Sequence, residues 1–277
     1  MAWVRFFVFS NLFVAACAVL MVAQTSQLLL QSPADPDLLG FVFFATLCSY
    51  SFHWYLSPDS GTGSSRKAWQ QDFHFLHGLL FVAGLAGTLC FLPALMKGWP
   101  WLVLAAFPTF LYSAPKLPHR YFHLLRKVAL GKTIFLAAVW MYVTTLLPLV
   151  MSPAKWPAGG YLFVIARFFQ LYPICILFDF RDREEDRRLG IRSLITYLDE
   201  KGIRNLFVLS IAIFTASTVA LLSYGYSQAT VYSLLVPGAL TAILYPFARR
   251  HTGDLLYYLV LDGLIAISPL LTLVIGI

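Results

Sequence analysis

The chain has 277 residues, of which 59% are hydrophobic and only 12% charged. That apolar surplus exceeds what a soluble core can absorb, so a bilayer has to be the solvent. A net charge of +7 would point to nucleic acid in a soluble protein, but in a chain this apolar it reports membrane topology, and no nucleic-acid partner is expected.

Apolar runs between Pro, Gly and charge clusters predict spans over 6–30, 38–56, 75–96, 99–115, 130–150, 159–180, 204–224, 229–248 and 254–276. Most of them approach the roughly 20 residues that a helix needs to cross about 30 Å of hydrocarbon. The expected fold class is all-α, a polytopic membrane helical bundle of about nine transmembrane helices, making a single integral membrane domain over 1–277. The first run shows no small-residue cleavage pattern and reads as a retained span rather than a signal peptide. Cys17, Cys48, Cys90 and Cys175 all fall inside apolar runs without metal-ligand spacing, which makes them small apolar fillers.

Basic residues accumulate in cytoplasmic loops. With the N-terminus cytoplasmic and the C-terminus on the opposite side, every Lys and Arg falls on the cytoplasmic side except Lys97, Lys155 and Arg167. The absence of long hydrophilic extensions points to a bacterial inner membrane.

The second span carries Thr46, Ser49, Tyr50, His53 and Ser57 at three- and four-residue spacing, a polar stripe on one helical face. It serves either helix packing or a ligand, and His53 could donate to a phosphate or an acceptor. The fourth span ends in Tyr112-Ser113-Ala114-Pro115-Lys116, followed by His119, Arg120, His123, Arg126, Lys127 and Lys132. These cations could meet an anionic ligand, or could simply reflect the positive-inside bias and anionic headgroups.

The sixth span ends in Phe178-Asp179-Phe180-Arg181-Asp182-Arg183-Glu184-Glu185-Asp186, with acids spaced D-x-x-D-x-x-x-D. At about 100° per residue, Asp182 and Asp186 lie roughly 60° and 20° from Asp179, so the three form a carboxylate stripe. Such a stripe repels itself unless cations offset it, and Mg²⁺, a hard ion that bridges carboxylates to phosphates, suits it. Phe168, Tyr172 and Cys175 continue the same face into the apolar run, an arrangement suited to a charged head with a hydrocarbon tail; a solvated, charge-mixed loop is the alternative.

The six histidines, His53, His74, His77, His119, His123 and His251, lie near span ends. His-x-x-His and His-x-x-x-His spacings raise a membrane di-iron oxidoreductase as a lesser alternative. Two charges lie within spans, Arg167 and Asp262, and their similar depth predicts an interhelical ion pair between them.

Asp179, Asp182, Asp186, Gly190 and Ser193-Leu194 resemble the second Asp-rich motif of the UbiA superfamily of intramembrane prenyltransferases, and Tyr112-Ser113-Ala114-Pro115 resembles its Tyr-Ser-x-Pro segment. The resemblance implies a bundle around a central cavity, with an isoprenoid diphosphate held through Mg²⁺ and its prenyl group passed to a lipophilic acceptor, aromatic or lipid. In that reading Asp179, Asp182 and Asp186 hold the metal. Lys116, Arg120, Lys132 and Arg183 meet the diphosphate, Tyr172 stabilises the allylic cation, and His53 and Tyr50 handle the acceptor. The family's first motif should bring an Asn and two acids to the end of the second span, yet no acid occurs between Asp37 and Asp59. That departure keeps open a second reading, a UbiA-like protein that binds lipid without catalysis or with altered chemistry.

Overall fold

The structure, a computed structural model, describes residues 2–57, 64–113, 132–188 and 193–276. Its helices in chain order are α1 (Ala2–Phe9), α2 (Leu12–Leu30), α3 (Pro36–Tyr55), α4 (Ser65–Asp72), α5 (His74–Leu95), α6 (Trp99–Ser113), α7 (Lys132–Met151), α8 (Gly160–Arg188), α9 (Leu194–Tyr197), α10 (Glu200–Tyr224), α11 (Gln228–Ala248) and α12 (Leu256–Ile275). Apart from α1, α4 and α9, these make up eight helical stretches long and apolar enough to cross a membrane, one of which is the continuous run His74–Ser113. The chain is an integral membrane protein with a polytopic helical-bundle fold.

The run His74–Ser113 cannot be one straight rod, because that would hold its ends about 60 Å apart at 1.5 Å per residue. Both ends instead meet the last turn of α3: His74 lies 4.4 Å from the Tyr55 ring, and Tyr112 stacks on His53 at 5.1 Å. The chain therefore reverses at the short turn Met96–Gly98, where α5 ends and α6 begins. Counted as two arms, the hairpin restores the nine spans expected from the sequence.

Contacts sort the loops to two ends. At one end Lys67 binds Glu185 at 2.6 Å, Arg249 binds Glu200 at 2.6 Å, and Ser64 hydrogen-bonds Asp254. At the other, Gly98 packs against Met151, and Gly159, at φ +76°, packs against Tyr224. Exposed Trp99, Trp156, Tyr161 and Tyr224 gather at that second end, as aromatic residues do at a membrane interface.

Local sequence sets the helix starts. Asp35 caps α3 by accepting from the Asp37 N–H, with Pro36 in the first turn, and Asp199 caps α10 through Gly202 N–H. Ser193 and Thr196 form a reciprocal capping box that starts α9. Small residues bring the packed spans together: a Cβ on Gly84 of α5 would stand 2.6 Å from the Cys48 backbone nitrogen of α3, so only glycine permits that approach. In α7, the wider turn over Tyr142–Leu146 leaves carbonyls short of helical partners, and Thr25 of α2 donates its hydroxyl to Thr144 O at 2.7 Å.

Several expectations shift in detail. The first span is broken near Asn11, whose backbone has φ +69°, so α1 and α2 are separate helices. The sixth span extends to Arg188 rather than ending near 180, because the acidic segment continues the helix beyond the hydrocarbon. At 29 residues, α8 is about 44 Å long, well over the thickness of a hydrocarbon core.

Candidate active site at one end of the bundle

Asp179 and Asp186 sit two turns apart on α8 and are both buried, at 6% and 5% exposure. One cation serves both. Lys132, the first residue of α7, places its Nζ 3.4 Å from Asp179 Oδ1 and 3.0 Å from Asp186 Oδ2. Thr133, the next residue, donates its hydroxyl to Asp179 Oδ2. The start of α7 thus delivers a charge and a hydroxyl side by side, and two like charges tolerate each other because an ammonium lies between them.

Asp182 departs from this arrangement. Its carboxylate accepts from Arg181 Nε at 2.8 Å and its side chain is 38% exposed. The three acids that share one stripe by helical spacing are divided between two cations, because the residue offset by roughly 60° on the helix faces a different neighbour.

Tyr112 and Ser113 come from the end of α6. Tyr112 is an electrostatic neighbour of Lys132 and stacks on His53. His53 Nδ1 lies 3.3 Å from the Ser113 hydroxyl. His53 of α3 thus stands against Tyr112 and Ser113, at the end of α6. Tyr50, one turn deeper, accepts from Trp140 Nε1 at 2.9 Å. Below Asp179 the same face of α8 carries Cys175 and Tyr172, and Tyr172 stacks on Phe168 at 5.5 Å.

Not every expected residue joins the site. Arg183 donates to the Leu198 carbonyl and ties α8 to the segment after α9. Lys116 and Arg120 lie outside the described residues, as do His119 and His123. His74 rests on Tyr55 and His77 lies against Trp69 at 5.5 Å, so the His-x-x-His pair is spread over two partners. Among the described residues, no group of three or more His, Cys, Asp and Glu is close enough to hold a metal ion. Asp179 and Asp186 supply carboxylate oxygens, the donor type a hard ion such as Mg²⁺ uses, and the point on which they converge is filled by the Lys132 ammonium.

The predicted ion pair between Arg167 and Asp262 does not form. Arg167 donates to Gln24 Oε1 at 2.8 Å and Gln170 Oε1 at 3.1 Å. The charges nearest Asp262 are Arg66 and Arg181, toward the carboxylate end of the bundle. The pair fails on depth: Gln24, which accepts from Arg167, also meets Ser268 and Thr272, roughly two to three turns of α12 beyond Asp262.

Sequence reasoning also missed a second polar cluster beside the site. Arg66 of α4 is 3% exposed; its guanidinium lies 4.2 Å from the Trp54 ring and 4.3 Å from the Tyr258 ring, and its Nη2 donates to Asn11 Oδ1 at 2.7 Å. Asp254 accepts from the Ser64 and Ser65 hydroxyls and the Arg66 N–H. Arg181 completes the cluster by donating to Tyr258 Oη at 2.9 Å. Only the charge of Arg66 was visible in the sequence; its aromatic slot is made by helices far apart in the chain.

The architecture has a solved counterpart. The structure matches the apo structure of a UbiA homolog from Aeropyrum pernix K1 with a TM-score of 0.63, covering 97% of each chain at 14% sequence identity. The chain has the UbiA fold. No protein-family model matches the chain, and no curated protein matches it in sequence. At that identity the likeness speaks for the UbiA fold alone, and the chemistry has to be argued from Lys132, Asp179, Asp186 and their surroundings.

Proposed function

We propose that the chain is a UbiA-superfamily intramembrane prenyltransferase, moving a prenyl group from an isoprenoid diphosphate to a lipophilic acceptor at the cytoplasmic face of a bacterial inner membrane. The observation that carries this reading is the convergence of Asp179 and Asp186 on Lys132 at one end of a UbiA-fold bundle, with Tyr112, Ser113 and His53 alongside. The Asp-rich motif and the Tyr-Ser segment lie far apart in sequence, and Tyr112 is an electrostatic neighbour of the ammonium that the acids share.

In this reading Asp179 and Asp186, with Asp182 one turn away, would hold Mg²⁺. Bound there, the ion supplies charge neutralisation for the departing phosphate oxygens. Lys132 turns its ammonium from the carboxylates to the diphosphate, so a charge already paired in the resting protein is available without desolvating a new one. The allylic carbon–oxygen bond breaks and diphosphate leaves with the electron pair. Tyr172 and Phe168 offer π faces to the allylic cation, and their apolar surroundings keep water from capturing it. As the new bond forms, the acceptor loses a proton. His53, beside Ser113, takes that proton.

The test is diphosphate release from radiolabelled prenyl diphosphates of several lengths, using the purified full chain with Mg²⁺ and a panel of aromatic and lipid acceptors. Release should occur in the wild type, and Asp179→Asn, Asp186→Asn and Asp182→Ala should each lower it on the order of 100-fold. Equal release by wild type and Asp186→Asn would defeat the reading. The lack of acids at the end of α3 favours a second reading, in which the protein binds a phosphorylated lipid without turnover. Tight binding with no release across the whole panel would select it.

A further inference from the structure

Arg167 lies about 18 Å along α8 from Asp179 and about 10 Å from the start of that helix at Gly160, by the 1.5 Å rise. It is 2% exposed, and no acid pairs with it among the described residues. Its two terminal nitrogens donate to the amide oxygens of Gln24 and Gln170, and its guanidinium lies 5.0 Å from the Phe163 ring. Neutral amides and a ring face orient a cation but do not cancel its charge, and an uncompensated buried charge costs several kcal/mol.

Two N–H donors at this site have no partner, Arg167 Nε and Gln170 Nε2. Gln170 is itself 3% exposed. Both residues line a cavity of about 10 Å³, together with Phe214 and Thr218 of α10 and Leu234 of α11. That volume admits a centre the size of one water. The orientation of Gln170 is fixed, because turning its amide over would point N–H groups at the guanidinium. The Thr218 hydroxyl already donates to Phe214 O at 2.7 Å. What the cavity offers is therefore two donors beside a positive charge. A water would satisfy both donors but would bring hydrogens of its own and no charge. An acceptor carrying a negative charge satisfies both donors and the guanidinium together.

We propose that Arg167 and Gln170 form an anion site within the membrane-spanning bundle, separate from the carboxylate site, that takes one halide-sized anion or one carboxylate oxygen of a membrane amphiphile. The anion is the missing counter-ion of Arg167, so its binding stabilises the packing of α8 against α2, α10 and α11.

The experiment is thermal unfolding of the purified full chain in non-ionic detergent, titrating bromide against gluconate at constant ionic strength. A parallel arm compares dodecanoate with dodecanol. The expected result is a saturable rise in Tm of about 5 °C in bromide, by mass action on the folded state. The rise should vanish in Arg167→Gln. Gln170→Glu, which supplies the counter-ion internally, should raise Tm in gluconate and remove the bromide response; this variant carries the test if Arg167→Gln does not fold. A response to dodecanoate but not to bromide or dodecanol identifies the amphiphile as the source. Superimposable curves in bromide, gluconate and dodecanoate mean water only and overturn the proposal, as does a bromide response undiminished in Gln170→Glu.

Discussion

Two cations within the bundle, Lys132 partly buried and Arg167 fully, divide this molecule. At one end, Lys132 stands between two carboxylates, 3.0 and 3.4 Å away, with Thr133 as an added donor. Deeper along the same helix, Arg167 is held by the amides of Gln24 and Gln170 and has a donor to spare. The first arrangement is complete in itself, so a substrate must compete with internal ion pairs and each partner can be exchanged for a part of the ligand. The second is incomplete and calls for something from outside. Burial alone does not mark a site; what distinguishes these two is how the charge is balanced.

Removing the cation at the first site should have the largest effect. Lys132→Met leaves Asp179 and Asp186 facing each other, and the expected loss is about 3 kcal/mol of stability, read by thermal or denaturant unfolding in detergent micelles. Adding Asp186→Asn to Lys132→Met should recover a good part of that loss. Strict additivity of the two substitutions would mean that the ammonium does not bridge the acids.

At the second site Gln24→Leu should cost about 2 kcal/mol, because it strips an acceptor from a buried guanidinium. Gln24 also donates to Thr272 at 2.7 Å, which links α2 to α12, so local hydrogen exchange in both helices should rise. An unchanged Tm would show that Arg167 has another route to compensation.

A smaller effect separates Arg66 from both sites. Its charge lies between aromatic faces, so Arg66→Lys should cost on the order of 1 kcal/mol through loss of the stacked plane and of the bond to Asn11. The smallest shift is expected for Asp182→Asn, about 0.5 kcal/mol or less, since its pair with Arg181 is partly exposed. The contrast with diphosphate release matters here. Asp182 should be nearly silent in unfolding and strongly required in turnover, whereas Lys132 should be required in both.

The architecture was largely legible in the sequence, since a bilayer imposes a minimum run length on every span and charge is costly in hydrocarbon. Apolar runs and basic clusters therefore give the number of helices, their approximate ends and the two-sided sorting of loops. The helical repeat also brought Asp179 and Asp186 to one face and carried that face down to Tyr172. Asp182 did not follow, because a wheel says which residues share a side of a helix and not which neighbour stands there.

What only the tertiary structure decided is how the helices are rotated and which loops meet. Lys132 was one of several basic residues after the fourth span, and only the packing of α7 against α8 sets it between two acids. Arg167 and Asp262 looked like partners at equal depth, but the packed bundle sets Arg167 between two glutamines at the level of Ser268 and Thr272, and the charges that act on Asp262 are those of Arg66 and Arg181. Hydropathy is a property of each segment and survives when the chain is read as a line. Charge pairing depends on distance and direction between segments, quantities that exist only once the bundle has closed.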